Sequence, residues 1–200
     1  MKKVLVFLAV LSITSLCLAQ PEVGSTTVQP KLGINVANMT QGEGSDPRIG
    51  FVGGIELQSQ ASKLLGFSYG ILYSMQGSKD KDYNSNLTET LKIDYLNVPI
   101  LANVYLYKGL AIKAGIQPGF NVIDKYKLSG GGQSLTGNLS DINVEVKSFD
   151  FGIPFGISYE YNNVVLDARY ILGMTKFIDK QDVNSRHRVF QFTLGYRFSR

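Results

Sequence analysis

Tryptophan is absent from the 200 residues, histidine and cysteine occur once each, and proline only six times. The single cysteine, Cys17, lies in the leader described below, so the sequence predicts a fold without disulfides or a cysteine metal cluster. Long hydrophobic runs are also missing. No window beyond Gln20 holds about 18 consecutive apolar residues, which excludes helical membrane spans. Neither sign of charge dominates. Lys and Arg number 20 against 16 Asp and Glu, and removing Lys2 and Lys3 with the leader halves that small excess. So weak a basic balance argues against a nucleic-acid surface.

The leader, Met1 to Ala19, places Lys2 and Lys3 before the apolar run Val4 to Leu11, then shortens its side chains through Ser12 to Ala19. That order is a secretory signal peptide, with cleavage expected between Ala19 and Gln20. A transmembrane anchor needs a longer apolar stretch. Acylation of Cys17 needs a small residue where Leu16 stands. Residues 20–30 are expected to be a periplasmic lead-in, and residues 31–200 the folded domain.

What the chain has in quantity is Gly (21), Tyr (11) and Phe (11), arranged with a period of two. From Ser148 to Tyr161, Phe149, Phe151, Ile153, Phe155, Ile157, Tyr159 and Tyr161 occupy one face. The other face carries Ser148, Asp150, Gly152, Pro154, Gly156, Ser158 and Glu160. A helix would scatter those aromatics; a strand segregates them. The same alternation marks Lys31–Met39, Ile49–Leu57, Phe67–Gly77, Tyr95–Leu106, Leu110–Val122, Val164–Thr175 and Arg188–Phe198. Eight strands follow.

Alternation does not say which face is inside, since a soluble lipocalin-like barrel alternates too. Three features favour a lipid-facing apolar side. The polar face is rich in Gly, Ser, Asn and Gln and lacks a dense Lys/Glu coat. Connections alternate between long (Gln41–Pro47, Ser78–Thr90, Ser129–Lys147, Ile178–His187) and short (Ala61–Gly66, Tyr107–Gly109, Asn162-Asn163), as outer-membrane barrels require. Aromatics gather near the short turns, at Phe67, Tyr69, Tyr105, Tyr107, Tyr159, Tyr161, Tyr196 and Phe198, where an interfacial girdle would sit. The expected fold is all-β, an eight-stranded antiparallel up-and-down transmembrane β-barrel in the bacterial outer membrane.

Several short segments also resemble the outer-membrane β-barrel family of Bacteroidota known as PorT-like. They are Lys31-Leu32-Gly33-Ile34-Asn35, Ile71-Leu72-Tyr73-Ser74-Met75-Gln76-Gly77, Tyr95-Leu96-Asn97-Val98-Pro99-Ile100-Leu101 and Gly195-Tyr196-Arg197-Phe198. Asn97 stands where that family often has Glu. The resemblance implies fold and location, and no particular activity.

An eight-stranded interior is filled by side chains. Facing places Glu56, Lys113, Asp150, Glu160, Asp167, Arg169 and Arg197 inward, where a mutually neutralising network is expected. The other reading of these charges is a narrow pore for ions or small solutes. A hairpin of the last two strands centred near residue 182 would set Asp167 opposite Arg197 and leave Glu160 or Asp150 to Arg169. Facing also requires a three-residue Tyr107-Lys108-Gly109 loop, with Gly109 left-handed, and a two-residue Asn162-Asn163 turn pairing Tyr161 with Val164.

His187, between Arg186 and Arg188, is the one candidate base for a lipid-modifying enzyme, with Ser185, Asp182, Ser129 or Ser134 as companions. One histidine beside serines is near chance, and the two arginines suit lipopolysaccharide phosphates equally well. Gly130-Gly131-Gly132 lacks the Gly-Lys-Ser/Thr of a phosphate loop. The chain is therefore expected to be a structural or surface-binding barrel without enzymatic activity, cofactor or metal. Its expected partners are outer-membrane lipids and lipopolysaccharide, the barrel-assembly machinery, and an extracellular ligand or protein met by the long loops.

Overall fold

The computed structural model describes residues 22–39, 46–82, 87–130, 133–142, 146–175 and 186–198. The leader, with Cys17 and the Ala19–Gln20 bond, lies outside them, as do Asp182 and Ser185. Strands are β1 (Thr26–Met39), β2 (Asp46–Gln60), β3 (Leu65–Asp82), β4 (Leu87–Asn97), β5 (Ile100–Tyr107), β6 (Leu110–Gly130), β7 (Gln133–Asn138), β8 (Phe149–Tyr161), β9 (Val164–Gly173) and β10 (His187–Tyr196). A short 3-10 turn, Leu139–Ile142, follows β7.

β4 and β5 form one wall strand interrupted at Val98-Pro99, and β7 folds back on β6 beyond the wall. That leaves eight wall strands, each antiparallel to the next. β1 pairs with β10 from Lys31↔Gly195 to Met39↔His187, so the sheet closes. Pro99 and Pro118 lack donors at the interruption. The wall is held there by Val98 N–H to the Pro118 carbonyl (2.8 Å) and Gly70 N–H to the Pro99 carbonyl (3.2 Å).

The registers fix the barrel's slant. A row leaving β1 at Gln29 passes Glu56, Gly70, Gln117, Gly152 and His187 and returns to β1 at Met39, ten residues farther along. Eight strands with that stagger tilt by about 40° and leave an interior only wide enough for side chains.

Alternation governs the wall as the sequence predicts. On β8, Phe149, Ile153, Phe155, Ile157, Tyr159 and Tyr161 point out and are exposed, while Gly152, Pro154, Ser158 and Glu160 are buried inside. The outward side chains of every wall strand join into one apolar band around the barrel. Polar residues fill the inside: Gln29, Asn35, Glu56, Gln58, Asn103, Lys113, Asp167, Arg169 and Gln191 are each no more than 4% exposed. This is the inverse of a soluble barrel, and it follows from lipid outside and hydrogen bonding within.

Four features differ from the sequence reading. First, β1 begins at Thr26, not Lys31, and Thr26–Pro30 pairs with β2. Pro30 blurs the alternation there; the β1–β10 ladder skips it between Lys31↔Gly195 and Val28↔Phe198, as a residue without a donor requires. Second, the described residues of Ser78–Thr90 and Ser129–Lys147 are largely strand, while most of Gln41–Pro47 and Ile178–His187 lies outside the described residues. β3, β4, β6 and β7 continue past the apolar band as a four-stranded ridge. Its period was hidden by a bulge at Val122, where Asn121↔Tyr95 is followed by Ile123↔Asp94. Third, the Tyr107–Gly109 connection is a two-residue Lys108-Gly109 turn, both residues left-handed (φ 31° and 85°), with Tyr107 opposite Leu110. Facing survives because Leu106 bulges out, so Tyr105↔Ala111 and Asn103↔Lys113 keep their sides. Fourth, Tyr105 points inward at 3% exposure, as the parity of its strand requires, and so does not belong to the girdle. The Asn162-Asn163 turn pairs Tyr161 with Val164 as expected.

Candidate functional site

Because rows climb around the barrel, residues distant in sequence share one height. Lys31 of β1, Glu56 of β2, Lys113 of β6, and Asp167 and Arg169 of β9 meet at mid-lumen as a plate of charge. Arg169 lies between two carboxylates. Its Nη1 and Nη2 donate to Glu56 (2.5 and 2.8 Å), and its Nε and Nη2 donate to Asp167 (2.7 and 2.8 Å). Lys31 Nζ bridges the same carboxylates, at 2.5 Å from Glu56 and 3.1 Å from Asp167. Lys113 Nζ donates to Asp167 at 2.7 Å. All five side chains are at most 3% exposed. Removal of five charges from water is tolerable only because each meets opposite charge with good geometry.

Small residues make room for this plate. Gly54, Gly70, Gly115 and Gly156 face inward at the same height, and a Cβ on any of them would lie 2.0–2.2 Å from a backbone oxygen of the adjoining strand. The wall is drawn tight where the lumen is fullest.

On the side of the short turns, Arg197 pairs with Glu160, and the Gln58 amide donates to the Tyr105 hydroxyl. On the opposite side the lumen becomes apolar. Ile93, Tyr95 and Leu139 pack together at 0–1% exposure, with Leu91, Tyr126 and Val146 against them. Leu139, from the 3-10 turn after β7, thus stoppers the outer mouth. Beneath it the Tyr95 hydroxyl and His187 Nε2 are 3.1 Å apart, with the rings edge to face. Beside them Arg48 Nη1 donates to the Gln76 carbonyl and to Asp94 (3.3 Å), and the Tyr73 hydroxyl donates to Asp94 (2.8 Å).

Of the seven charges predicted to share the lumen, the structure brings Glu56, Lys113, Asp167 and Arg169 together, and Glu160 with Arg197. The expected Asp167–Arg197 contact does not form. β9–β10 pairing sets Asp167 opposite Thr193 and Arg169 opposite Gln191, a slip of four residues from the expected register. Arg169 takes Glu56 and Asp167, not Glu160 or Asp150. Asp150 sits apart near the outer mouth, where the Thr175 hydroxyl donates to it. Lys31 was missed, although it shares the parity of Gly33 and Asn35, because it stands at the end of the faintest strand. His187 faces the lumen, buried against Tyr95. Ser129 and Ser134 face each other across the distant end of the β6–β7 hairpin. Among the described residues no group of three His, Cys, Asp or Glu is placed to hold a metal.

Residues 18–179 match the outer membrane protein beta-barrel domain family. No functionally curated protein matches the chain. Among solved structures it is similar to Neisserial surface protein A (18% identity, TM-score 0.50, covering 86% of this chain and 97% of that one). It is also similar to Ail, the attachment invasion locus protein of Yersinia pestis (16% identity, TM-score 0.49, covering 88% and 100%). A third is the N-terminal β-barrel domain of Pseudomonas aeruginosa OprF (8% identity, TM-score 0.39, covering 88% and 98%). Such identities speak to fold alone. Closed barrel, apolar belt, polar interior and family match converge: the chain belongs to the outer membrane protein β-barrel domain family and is a protein of the bacterial outer membrane.

Proposed function

We propose that this is a sealed barrel that works through its outer surface, as a structural or surface-binding protein, and not through its lumen. The observation that carries this reading is the five-residue plate of Lys31, Glu56, Lys113, Asp167 and Arg169, which spans the interior from strands on opposite sides. An ion crossing it would have to part paired charges in a region of low dielectric. The ridge of β3, β4, β6 and β7 is the part built for contact, with barrel-assembly machinery and outer-leaflet lipid as the other partners. No catalytic step and no cofactor belong to this reading. The motifs around Tyr95–Leu101 and Gly195–Phe198 support a closer kinship with PorT-like barrels of Bacteroidota.

Planar-bilayer recording tests the proposal. The purified protein should give no steady current, and the double change Glu56→Ala with Arg169→Ala should open a measurable one. Steady current through the unaltered protein would establish the pore instead. Lipid turnover by the purified protein that is lost on His187→Ala would establish the enzyme.

A further inference from the structure

Within the ridge, β4 and β6 sort their charges by face. Above the Val122 bulge, Lys92 on β4 stands directly opposite Lys125 on β6, and Lys127 lies two residues farther along the same face. Above the bulge the acids of these two strands go to the other face: Glu89 pairs with Leu128, and Asp124 with Ile93, whose side chain is buried in the mouth. Directly opposed residues have Cβ atoms about 5 Å apart, and residues two apart on a strand are separated by about 7 Å. Three lysine side chains therefore leave the sheet from one small area. Like charges directly opposite destabilise a ladder, and no ion pair forms to any of the three among the described residues. Asp94, two positions below Lys92 on the same face, is already held by Tyr73 and Arg48.

The height and direction of this face identify what would neutralise it. Lys92 shares the side of Leu96, which is 37% exposed on the outward wall. On β6, the outward Phe120 and Val122, both 50% exposed, end the apolar band immediately below Lys125. The lysines thus look sideways over the rim of the lipid-facing belt, at headgroup level. Thr136 and Asn138 of β7, opposite Lys127 and Lys125, add exposed polar groups to the same face.

We propose that Lys92, Lys125 and Lys127 form a binding site for the phosphate groups of an outer-leaflet lipid headgroup, phosphorylated lipid A being the source. Each lysine contributes a charge-assisted hydrogen bond, and the anion turns a repulsive pair into a bridged one. The site rests on the reading of outer-leaflet lipid as a partner, and is independent of the sealed lumen and of Arg186 and Arg188, which lie on either side of His187.

The test is made on the folded full-length protein in phosphatidylcholine vesicles containing either diphosphorylated lipid A or the same lipid stripped of phosphate. The phosphorylated lipid should raise the thermal unfolding midpoint and bind; the stripped one should do neither. The triple change Lys92→Gln, Lys125→Gln, Lys127→Gln should weaken labelled lipid A binding by about tenfold or more, the scale of one lost charged hydrogen bond. Sign reversal provides the sharper check. In neutral detergent Lys125→Gln alone should raise the midpoint, because it removes repulsion, whereas in phosphorylated vesicles it should lower it. If the triple variant fails to fold, Lys125→Gln supplies the binding comparison. Equal binding of stripped lipid, or unchanged binding by the variants, overturns the proposal. So does binding of a soluble sulfated polysaccharide to these lysines without any of lipid A.

Discussion

A guanidinium held between two carboxylates has lost its water but kept its hydrogen bonds, and its worth shows only when one neighbour is taken away. Glu56→Gln leaves Arg169 with Asp167 alone and forces three cations onto one carboxylate. Breaking a buried charge cluster in this way should cost about 3–5 kcal/mol, read as a fall in the denaturant midpoint in detergent. The double change Glu56→Gln with Lys31→Met should cost less than the single one, since it also removes the cation left in excess. The same logic separates the two arginines. A double-mutant cycle should show strong coupling between Arg197 and Glu160 and none between Arg197 and Asp167, which are not in contact. Gly70 gives a steric counterpart. A Cβ there would meet the Ile55 carbonyl at 2.2 Å and the Glu56 Cα at 2.7 Å. Gly70→Ala should therefore cost about 1–3 kcal/mol by overpacking, although it alters no charge.

Strands keep their facing through the bulges at Leu106 and Val122, and deletion experiments in β5 can show this for the first. Removing Leu106 leaves Tyr105 and Tyr107 adjacent, opposite Ala111 and Leu110, as in a regular ladder. The shortened chain should still migrate as a folded, heat-modifiable barrel. Removing Asn103 instead turns the preceding half of β5 inside out, putting Leu101 and Ala102 on the wrong sides. That chain should not fold, and unboiled samples should run as unfolded protein. Much of this was legible from the sequence. Phe149 to Tyr161 declares strand, span and facing in one line. The ridge was not legible, because the Val122 bulge shifts the period midway along β6 and charged residues occupy the outward face beyond it. A three-residue loop at Tyr107 was the right answer to parity in the wrong place: the odd residue is absorbed within the strand.

At the level of the whole barrel, membership of the lumen was readable and partnership was not. Parity is local, so Glu56, Lys113, Asp167 and Arg169 could each be assigned inward from a few neighbours. Who meets whom depends on the ten-residue stagger accumulated around eight strands, which no single strand carries. Lys31 shows the cost: its partners lie on β2 and β9, and nothing near it in sequence announces them.

That separation also sets an order in time. Contacts between residues 31 and 167 cannot form until nearly the whole chain is present. Glu56 and Arg169, 113 residues apart, are likewise brought together only by curling the sheet upon itself. Contacts of such long range are made slowly and late. The plate is therefore a product of closure and cannot guide it. Local hairpins such as β8–β9, turning at Asn162-Asn163, are free to form first. Substitutions at Glu56 or Asp167 should consequently hasten unfolding while scarcely slowing the folding step, whereas disruption of the Asn162-Asn163 turn should slow folding itself. Stopped-flow folding into detergent or vesicles would read both arms. The charges that seal the finished barrel would then act as a latch that engages only after the last strand, β10, has docked against the first.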